Sequence, residues 1–207
     1  NKSAIIAIGG CMMQEKHIVD KIKKSYQYDV IFGTHTLHKF PEDLYNAIIE
    51  HKKIDDVINI DGEIIEGLPI KREDNIKASV TIMNGCNNFC TYCIVPYTRG
   101  TQRSRKHEDI VSEVETLVKD GYKEVTLLGQ NVNAYGKDLN KGYNFANLLE
   151  EVAKTNIPRI RFVTSHPWDF TDKMIEVIAK YPNIMPSVHL PVQAGANRIL
   201  KLMGRRY

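Results

Sequence analysis

The sequence predicts an α/β protein in two pieces: a small three-stranded parallel sheet, followed by an incomplete (β/α) barrel. Short runs rich in Ile and Val alternate with amphipathic stretches of helical period, which is typical of parallel sheets. The stretch Asp61–Lys77 has neither period and holds two glycines and one proline. We therefore expect a domain boundary near residue 70, with domains at 1–70 and 71–207.

The first piece has a β-α-β-α-β pattern, which predicts a parallel sheet. Strands are predicted at Ala4–Ile8, Asp29–Phe32 and Asp56–Ile60. The first helical stretch places five apolar residues on one side: Met12, Met13, Ile18, Val19 and Ile22. The second helix, Pro41–Lys53, has a proline in its first turn, where the missing N–H costs nothing.

The second piece repeats the strand–helix pattern. Its predicted strands are Ala78–Met83, Glu124–Gly129, Arg159–Ser165 and Ser187–Val192. Its predicted helices are Glu108–Lys119, Phe145–Lys154, a helix to Lys180 with Thr171 as N-cap, and Asn197–Met203. A closed eight-fold barrel needs twice as many units, so we expect a partial barrel.

Composition excludes several classes of protein. The chain of 207 residues is 43% hydrophobic and 26% charged, as in ordinary globular domains, and its net charge of +3 does not by itself indicate nucleic-acid binding. No apolar run approaches the ~18 residues of a membrane span, and the N-terminus lacks signal-peptide regions. Because three of the four cysteines are clustered, a secreted disulfide framework is not indicated, and we expect a reducing cytoplasm. The missing initiator Met suggests a piece of a longer protein.

The cysteine cluster, in NGCNNFCTYC, has the spacing C-x3-C-x2-C over Cys86, Cys90 and Cys93. Structural zinc takes four ligands, and the nearest fourth candidates, His107 and Cys11, form no second pair. Carrier clusters of the ferredoxin type use four thiolates and a Cys-Pro, which is absent here. The favoured interpretation is a 4Fe-4S cluster held by three thiolates, with its fourth iron open to a small molecule. Zinc, a carrier cluster and purely structural thiols remain alternatives.

This spacing, with Tyr92 before the third cysteine, resembles the signature of the radical S-adenosylmethionine superfamily. The resemblance implies that S-adenosylmethionine chelates the open iron through its amino and carboxylate groups. It also implies that one electron from the cluster splits the S–C5′ bond and yields a 5′-deoxyadenosyl radical. The loop follows a predicted strand at its carboxyl end, where α/β folds keep their sites.

Four stretches resemble the methylthiotransferase family of that superfamily: Val80–Arg105, Glu124–Gly136, Arg161–Pro167 and His189–Arg205. VPYTRG and LLGQNV favour the tRNA branch, which adds a methylthio group to C2 of isopentenyl-adenosine beside the anticodon. The resemblance implies a tRNA anticodon loop as partner, a flavodoxin- or ferredoxin-type electron donor, and two molecules of S-adenosylmethionine per product. The alternatives are a sister methylthiotransferase, acting on threonylcarbamoyl-adenosine or a ribosomal protein, and a non-catalytic iron–sulfur or zinc module.

The resemblance also implies a second, auxiliary 4Fe-4S cluster that supplies sulfur and is held by three cysteines of the N-terminal domain. Cys11, in AIGGCMMQE, corresponds to one of these, and the other two are absent from this chain. We therefore expect this piece alone not to complete methylthiolation.

Polar side chains at the predicted strand ends are candidates for cofactor contact, because an amide or carbonyl oxygen there can accept from the methionine ammonium. Solvated strand-end turns are the alternative. The predicted cofactor residues are Tyr92, Gly129, Gln130, Asn131, Ser165 and Gln193.

The segment Pro96–His107 is basic and holds no acid. Beside the cysteine cluster it could contact a phosphate backbone, and a tyrosine there could stack on a base. A solvated loop, or arginines on the cofactor carboxylate, are the alternatives. The predicted RNA contacts are Tyr97, Arg99, Arg103 and Arg105.

Overall fold

The computed structural model describes residues 4–58, 63–139 and 142–207. The chain divides into two compact units. The first contains the residues up to Leu68 together with Ile94–Thr101, and the second contains Pro69–Cys93 and Gln102–Tyr207. The segment Ile94–Thr101 thus packs with the first unit, although sequence alone assigned it to the second piece.

The first unit holds a parallel sheet of three strands in the order β1-β2-β3. The strands are β1 (Ala7–Gly9), β2 (Val30–Phe32) and β3 (Ile54–Asp56). The helices are α1 (Lys16–Ser25), α2 (Phe40–Glu50) and the short α3 (Val95–Thr98). The predicted order and parallel pairing are confirmed.

Two details of the first unit differ from the sequence prediction. The third strand begins at Ile54 rather than Asp56, because His51 takes a left-handed conformation (φ 54°) that ends α2 at Glu50. Residues 59–60 of the predicted strand lie outside the described residues. The predicted inward position of Met12 is wrong, because Met12 is 63% exposed. Residues Cys11–Gln14 form a 3₁₀ turn in which Met13 alone is buried.

The second unit holds a parallel sheet in the order β4-β7-β8 and a short antiparallel pair, β5-β6. The strands are β4 (Lys77–Thr81), β5 (Met83–Asn84), β6 (Arg103–Ser104), β7 (Glu124–Leu128) and β8 (Arg159–Phe162). The helices are α4 (His107–Lys119), α5 (Phe145–Lys154), α6 (Asp172–Lys180) and α7 (Asn197–Leu202). The predicted α/β class is confirmed.

The core of this unit lies between the sheet and its helices. Its fully buried side chains include Val125 and Leu127 of β7, Ile110 of α4 and Leu148 of α5. Local signals set the helix starts: Thr171 Oγ1 accepts from Met174 N, which confirms the predicted N-cap of α6.

The predicted fourth strand, Ser187–Val192, is wrong. Next to β8 the structure has a single parallel bridge, from Ile160 to Ile184, and residues 187–192 form no strand. Pro186 and Pro191 explain this, because proline has no N–H to donate to a ladder. The bridge still brings the segment after it alongside the end of β8, where Ser165 N donates to His189 O at 3.1 Å.

Within the described residues, no helix is long and apolar enough to cross a membrane.

Candidate functional site

The cysteine loop follows the β4–β5 segment and is fixed at several points. Gly85, at φ 75°, turns the chain into the loop. Asn87 Oδ1 accepts from Gln102 N at 2.9 Å on one side. On the other side, Thr91 N donates to Met203 O at 3.1 Å, and Thr91 Oγ1 donates to Leu202 O at 3.1 Å. The loop is therefore held between β6 and the end of α7.

All three thiols of the loop are free, and two are buried. Cys86 and Cys90 are 9% and 8% exposed, and Cys93 is partly exposed. Cys93 N donates to Cys90 O at 2.9 Å, which closes the turn between the last two cysteines. Burial raises the pKa of the Cys86 thiol above its usual value, and charge on Cys90 and Cys93 raises it further, although the Asn88 backbone N–H bond to it acts in the opposite direction.

A second group lies where β7 and β8 end. Three of the predicted cofactor residues carry buried oxygens with no hydrogen-bond partner in the described structure: Gln130 Oε1, Asn131 Oδ1 and Ser165 Oγ. The Asn131 and Ser165 residues are only 3% and 4% exposed. A buried polar atom without a partner costs about 1–3 kcal/mol, so such atoms are rare unless they bind something. We call these three residues the strand-end group.

Neighbouring contacts orient the strand-end group. Asn131 Nδ2 donates to Asp169 Oδ2 at 2.6 Å, so its Oδ1 must point away from that carboxylate. Asp169, 5% exposed, also pairs with Lys137. Asn133 exchanges two hydrogen bonds of 2.8 Å with the backbone of His166, which ties the end of β7 to the end of β8.

Side-chain contacts connect the cysteine loop to the residue next to Ser165. Arg205 Nη1 donates to Cys90 Sγ at 3.3 Å, Arg205 Nε donates to Tyr207 Oη at 3.2 Å, and the Tyr207 ring lies against His166. The pKa of His166 is lowered by burial and by the positive charge of Arg205, so its ring is neutral near pH 7. Its Nδ1 accepts from Trp168 N at 3.2 Å, which leaves Nε2 to carry the proton. The ring stands edge-on to Tyr207, with centroids 5.5 Å apart.

The donor set consists of three thiols on one loop. Among the residues described, no three His, Cys, Asp or Glu side chains are grouped to hold one metal ion. A 4Fe-4S cube differs, because each thiolate binds its own iron and the sulfurs need not surround one centre. His107, the other zinc candidate, pairs with Glu151 at 3.2 Å and stacks on Tyr143.

Comparison with protein families matches residues 80–207 to the Radical SAM superfamily. That range includes the cysteine loop and the strand-end group. This chain belongs to the Radical SAM superfamily. The superfamily's chemistry requires a 4Fe-4S cluster and S-adenosylmethionine, in agreement with the free thiols and the unpartnered oxygens.

Curated relatives are similar over almost the whole chain. The tRNA-2-methylthio-N(6)-dimethylallyladenosine synthases of Staphylococcus haemolyticus (strain JCSC1435) and Staphylococcus saprophyticus (strain ATCC 15305) are 59% and 58% identical to it, over 99% and 98% of its length. The chain spans about 40% of the length of these relatives.

Solved structures of the superfamily share the fold. TsrM from Kitasatospora setae, a radical S-adenosylmethionine methyltransferase solved with tryptophan and a cofactor analogue, matches 99% of this chain and 45% of its own, with a TM-score of 0.63 and 16% identity. OxsB, a cobalamin-dependent radical enzyme, matches 97% of this chain and 37% of its own, with a TM-score of 0.56 and 13% identity. At these identities the likeness concerns the fold alone.

The other predicted cofactor residues lie outside the strand-end group. Gly129 is required by packing, because a Cβ there would lie 2.6 Å from Met83 Cγ. The Tyr92 residue is 52% exposed beside the cysteine loop. Gln193 is exposed and has a positive φ of 61°, on the segment after the single bridge.

The predicted RNA contacts fall in both units. Tyr97, 66% exposed, and Arg99 belong to the first unit, and Arg103 to the second. Arg105 has partners within the second unit. Arg105 Nη1 donates to Glu113 Oε2 at 2.8 Å and to Thr81 O at 2.7 Å, and the side chain is only 11% exposed.

Sequence reasoning missed two residues of the site, Asp169 and Arg205. Arg205 Nη1 donates to Cys90 Sγ at 3.3 Å, which brings the last residues of the chain to the cysteine loop. Its place within a stretch that resembles the methylthiotransferases was the available signal. Asp169 is in a 3₁₀ turn, Pro167–Asp169, and nothing in its sequence setting distinguishes it from a surface acid.

Proposed function

We propose that the protein containing this chain is a tRNA methylthiotransferase that acts on C2 of N6-dimethylallyladenosine beside the anticodon. One observation carries the proposal: contacts through Arg205, Tyr207 and His166 connect the three-cysteine loop to buried strand-end oxygens that have no partner among the described residues. The names and 58–59% identity of the staphylococcal relatives supply the substrate. Since C2–H of adenine is not acidic, radical chemistry suits it better than acid–base catalysis.

In this proposal Cys86, Cys90 and Cys93 are the protein ligands of a 4Fe-4S cluster. When bound, such a cluster would supply the single electron for the reductive cleavage of S-adenosylmethionine. The Asn88 N–H donates to the sulfur of Cys86, and the Arg205 guanidinium donates to the sulfur of Cys90. Burial of the loop limits the access of water to the ligands.

The strand-end group would bind S-adenosylmethionine. Asn131 Oδ1 and Gln130 Oε1 can only accept hydrogen bonds, which suits an ammonium or a ribose hydroxyl. Ser165 Oγ can donate or accept. Asp169 fixes the Asn131 amide so that its oxygen faces the ligand. Gly129 carries the chain past Met83 to this point, and Tyr92 and Gln193 are assigned to the rim of the site.

The predicted RNA contacts are part of the proposal: Tyr97 would stack on a base, and Arg99, Arg103 and Arg105 would contact phosphates. The target base must be splayed out of the anticodon stack to reach a buried radical. Cys11 is assigned to an auxiliary 4Fe-4S cluster of the protein that contains this chain. A flavodoxin- or ferredoxin-type protein would supply electrons, in a cytoplasm that keeps the thiols reduced. We keep the domain boundary near residue 70.

Mass spectrometry of tRNA nucleosides tests the proposal. A strain that lacks the full-length gene should lose 2-methylthio-N6-dimethylallyladenosine and accumulate the unthiolated nucleoside. The full-length wild-type gene should restore it, and a Cys90→Ala gene should not. Loss of a methylthio group from threonylcarbamoyl-adenosine or from a ribosomal protein instead would assign the chain to a sister enzyme. An unchanged profile would contradict the proposal.

A further inference from the structure

Arg205 places a permanent positive charge against one of the three clustered thiols. Its Nη1 donates to Cys90 Sγ at 3.3 Å, although the two residues are 115 positions apart. A bond from guanidinium to thiolate is charge-assisted and therefore stronger than a neutral hydrogen bond. Arginine cannot lose its proton in a protein, so this charge is present at any working pH.

The guanidinium is held in place from three sides. Nη2 donates to Pro191 O at 3.3 Å, and Nε donates to Tyr207 Oη at 3.2 Å. Its Cζ also lies 5.4 Å from the centroid of the Tyr207 ring. Tyr207 is itself anchored, because its hydroxyl donates to Val192 O at 3.0 Å.

These contacts separate Arg205 from an ordinary ligand-binding arginine. A guanidinium that binds a carboxylate presents two parallel N–H groups to it. Here Nη1, Nη2 and Nε each already donate within the protein, to a sulfur, a carbonyl and a phenol. Three of the five N–H groups of the guanidinium are therefore engaged within the protein, and one of them is directed at the Cys90 sulfur.

We propose that Arg205 is a positioning residue that tunes the reduction potential of the cluster held by Cys86, Cys90 and Cys93. This inference rests on the proposed function. Reduction adds one electron from an external low-potential carrier, and no bond or proton changes at Arg205. A fixed positive charge and a hydrogen bond at a ligand sulfur favour the more negative, reduced cluster, because potentials depend on net charge and on bonds to the sulfurs.

The test uses the full-length protein in a Cys11→Ala background, which removes the auxiliary site so that one cluster is observed. Each variant is reconstituted anaerobically with iron and sulfide, and its midpoint potential is measured by EPR during titration with dithionite. Arg205→Gln should lower the equilibrium constant for reduction about tenfold, a shift of ~59 mV to more negative potential for a one-electron couple. Arg205→Lys and Tyr207→Phe should give smaller shifts in the same direction.

Arg206→Gln is the matched control, because Arg206 is the exposed neighbour of Arg205 and should leave the potential unchanged. Full iron content with an unchanged potential in Arg205→Gln would overturn the inference, as would weaker binding of S-adenosylmethionine without a change of potential. Loss of iron from both Arg205→Gln and Arg205→Lys would assign Arg205 to folding of the loop and also overturn it. Absence of a cluster from the Cys11→Ala parent would refute the proposed function instead.

Discussion

Two groups of polar side chains in the second unit differ in how fully their hydrogen bonds are satisfied. At the free edge of β4, Glu113 binds Arg72 at 2.6 Å and Arg105 at 2.8 Å, and these arginines donate to the carbonyls of Ser79 and Thr81. We call Arg72, Arg105 and Glu113 the edge group. The strand-end group, by contrast, has three buried oxygens without partners in the part of the chain that the structure describes.

This difference indicates that the edge group stabilises the fold, whereas the strand-end group binds a ligand. The edge group satisfies carbonyls that an edge strand would otherwise leave unpaired, and it ties β4 to α4. The strand-end group carries a cost in the ligand-free protein that a bound molecule would remove. Changes in the edge group should therefore alter the free energy of unfolding, whereas changes around the strand-end group should alter binding.

The largest expected effect is at the cysteine loop. Cys90→Ala in the full-length protein should abolish binding of about four irons per chain, because a cube with two protein ligands is not retained. Iron and sulfide analysis after anaerobic reconstitution measures this. Cys11→Ala is the control and should keep the cluster at the loop. Full iron content in Cys90→Ala would show that the loop is not the ligand set.

A smaller effect is expected at the edge group. Glu113→Gln should lower the free energy of unfolding by about 2 kcal/mol, between the values of exposed and fully buried ion pairs, because it leaves Arg72 and Arg105 without their carboxylate. Urea denaturation measures the loss. Glu115→Gln, at an exposed position of the same helix, should change it little. Equal losses in the two variants would remove the structural role given to the edge group.

Two buried serines allow a matched comparison between a hydroxyl of the strand-end group and a hydroxyl whose hydrogen bonds are satisfied. Ser165→Ala should leave the free energy of unfolding unchanged or slightly higher and weaken S-adenosylmethionine binding about tenfold, since it removes an unpartnered hydroxyl. Ser104 Oγ instead donates to Asp138 at 2.6 Å and accepts from Gly136 N at 3.0 Å. Ser104→Ala should lower the free energy of unfolding by about 1–2 kcal/mol and leave the affinity unchanged. Urea denaturation measures the stability, and calorimetric titration measures the affinity for S-adenosylmethionine. A loss of stability in Ser165→Ala together with a loss of affinity in Ser104→Ala would contradict the comparison.

The smallest effect is expected at the cap of α6. Thr171→Ala should lower the free energy of unfolding by about 1 kcal/mol, because Met174 N loses its side-chain acceptor. Thr171→Ser keeps the oxygen and should retain most of the stability. A change in cofactor affinity in either variant would mean that binding depends on more than the strand ends.

The sequence predicted those features that depend on local pattern. The alternation of runs located the strands β4, β7 and β8, and the turn chemistry at Thr171 located a helix start. The sequence pattern did not show which residue each charged side chain contacts. Arg105 looked like a basic surface residue because its partner Glu113 is on the next helix, and Arg205 could not be paired with Cys90 without the fold.

The strand at 187–192 failed for a different reason. Its apolar residues fit a strand, but Pro186 and Pro191 lack the backbone N–H groups that pairing with a neighbouring strand requires. The sequence showed that polar residues follow the strands. It could not show that the side-chain oxygens of Gln130, Asn131 and Ser165 are buried without partners in the described structure, because that depends on the packing around them.

The central claim is that three thiolates hold a cluster whose fourth iron binds S-adenosylmethionine. The most direct measurement is the EPR spectrum of the reduced, full-length Cys11→Ala protein before and after addition of S-adenosylmethionine, together with metal analysis. We expect about four irons per chain and a spectrum that shifts when the cofactor is added. One zinc per chain, or a cluster spectrum that the cofactor leaves unchanged, would contradict the account.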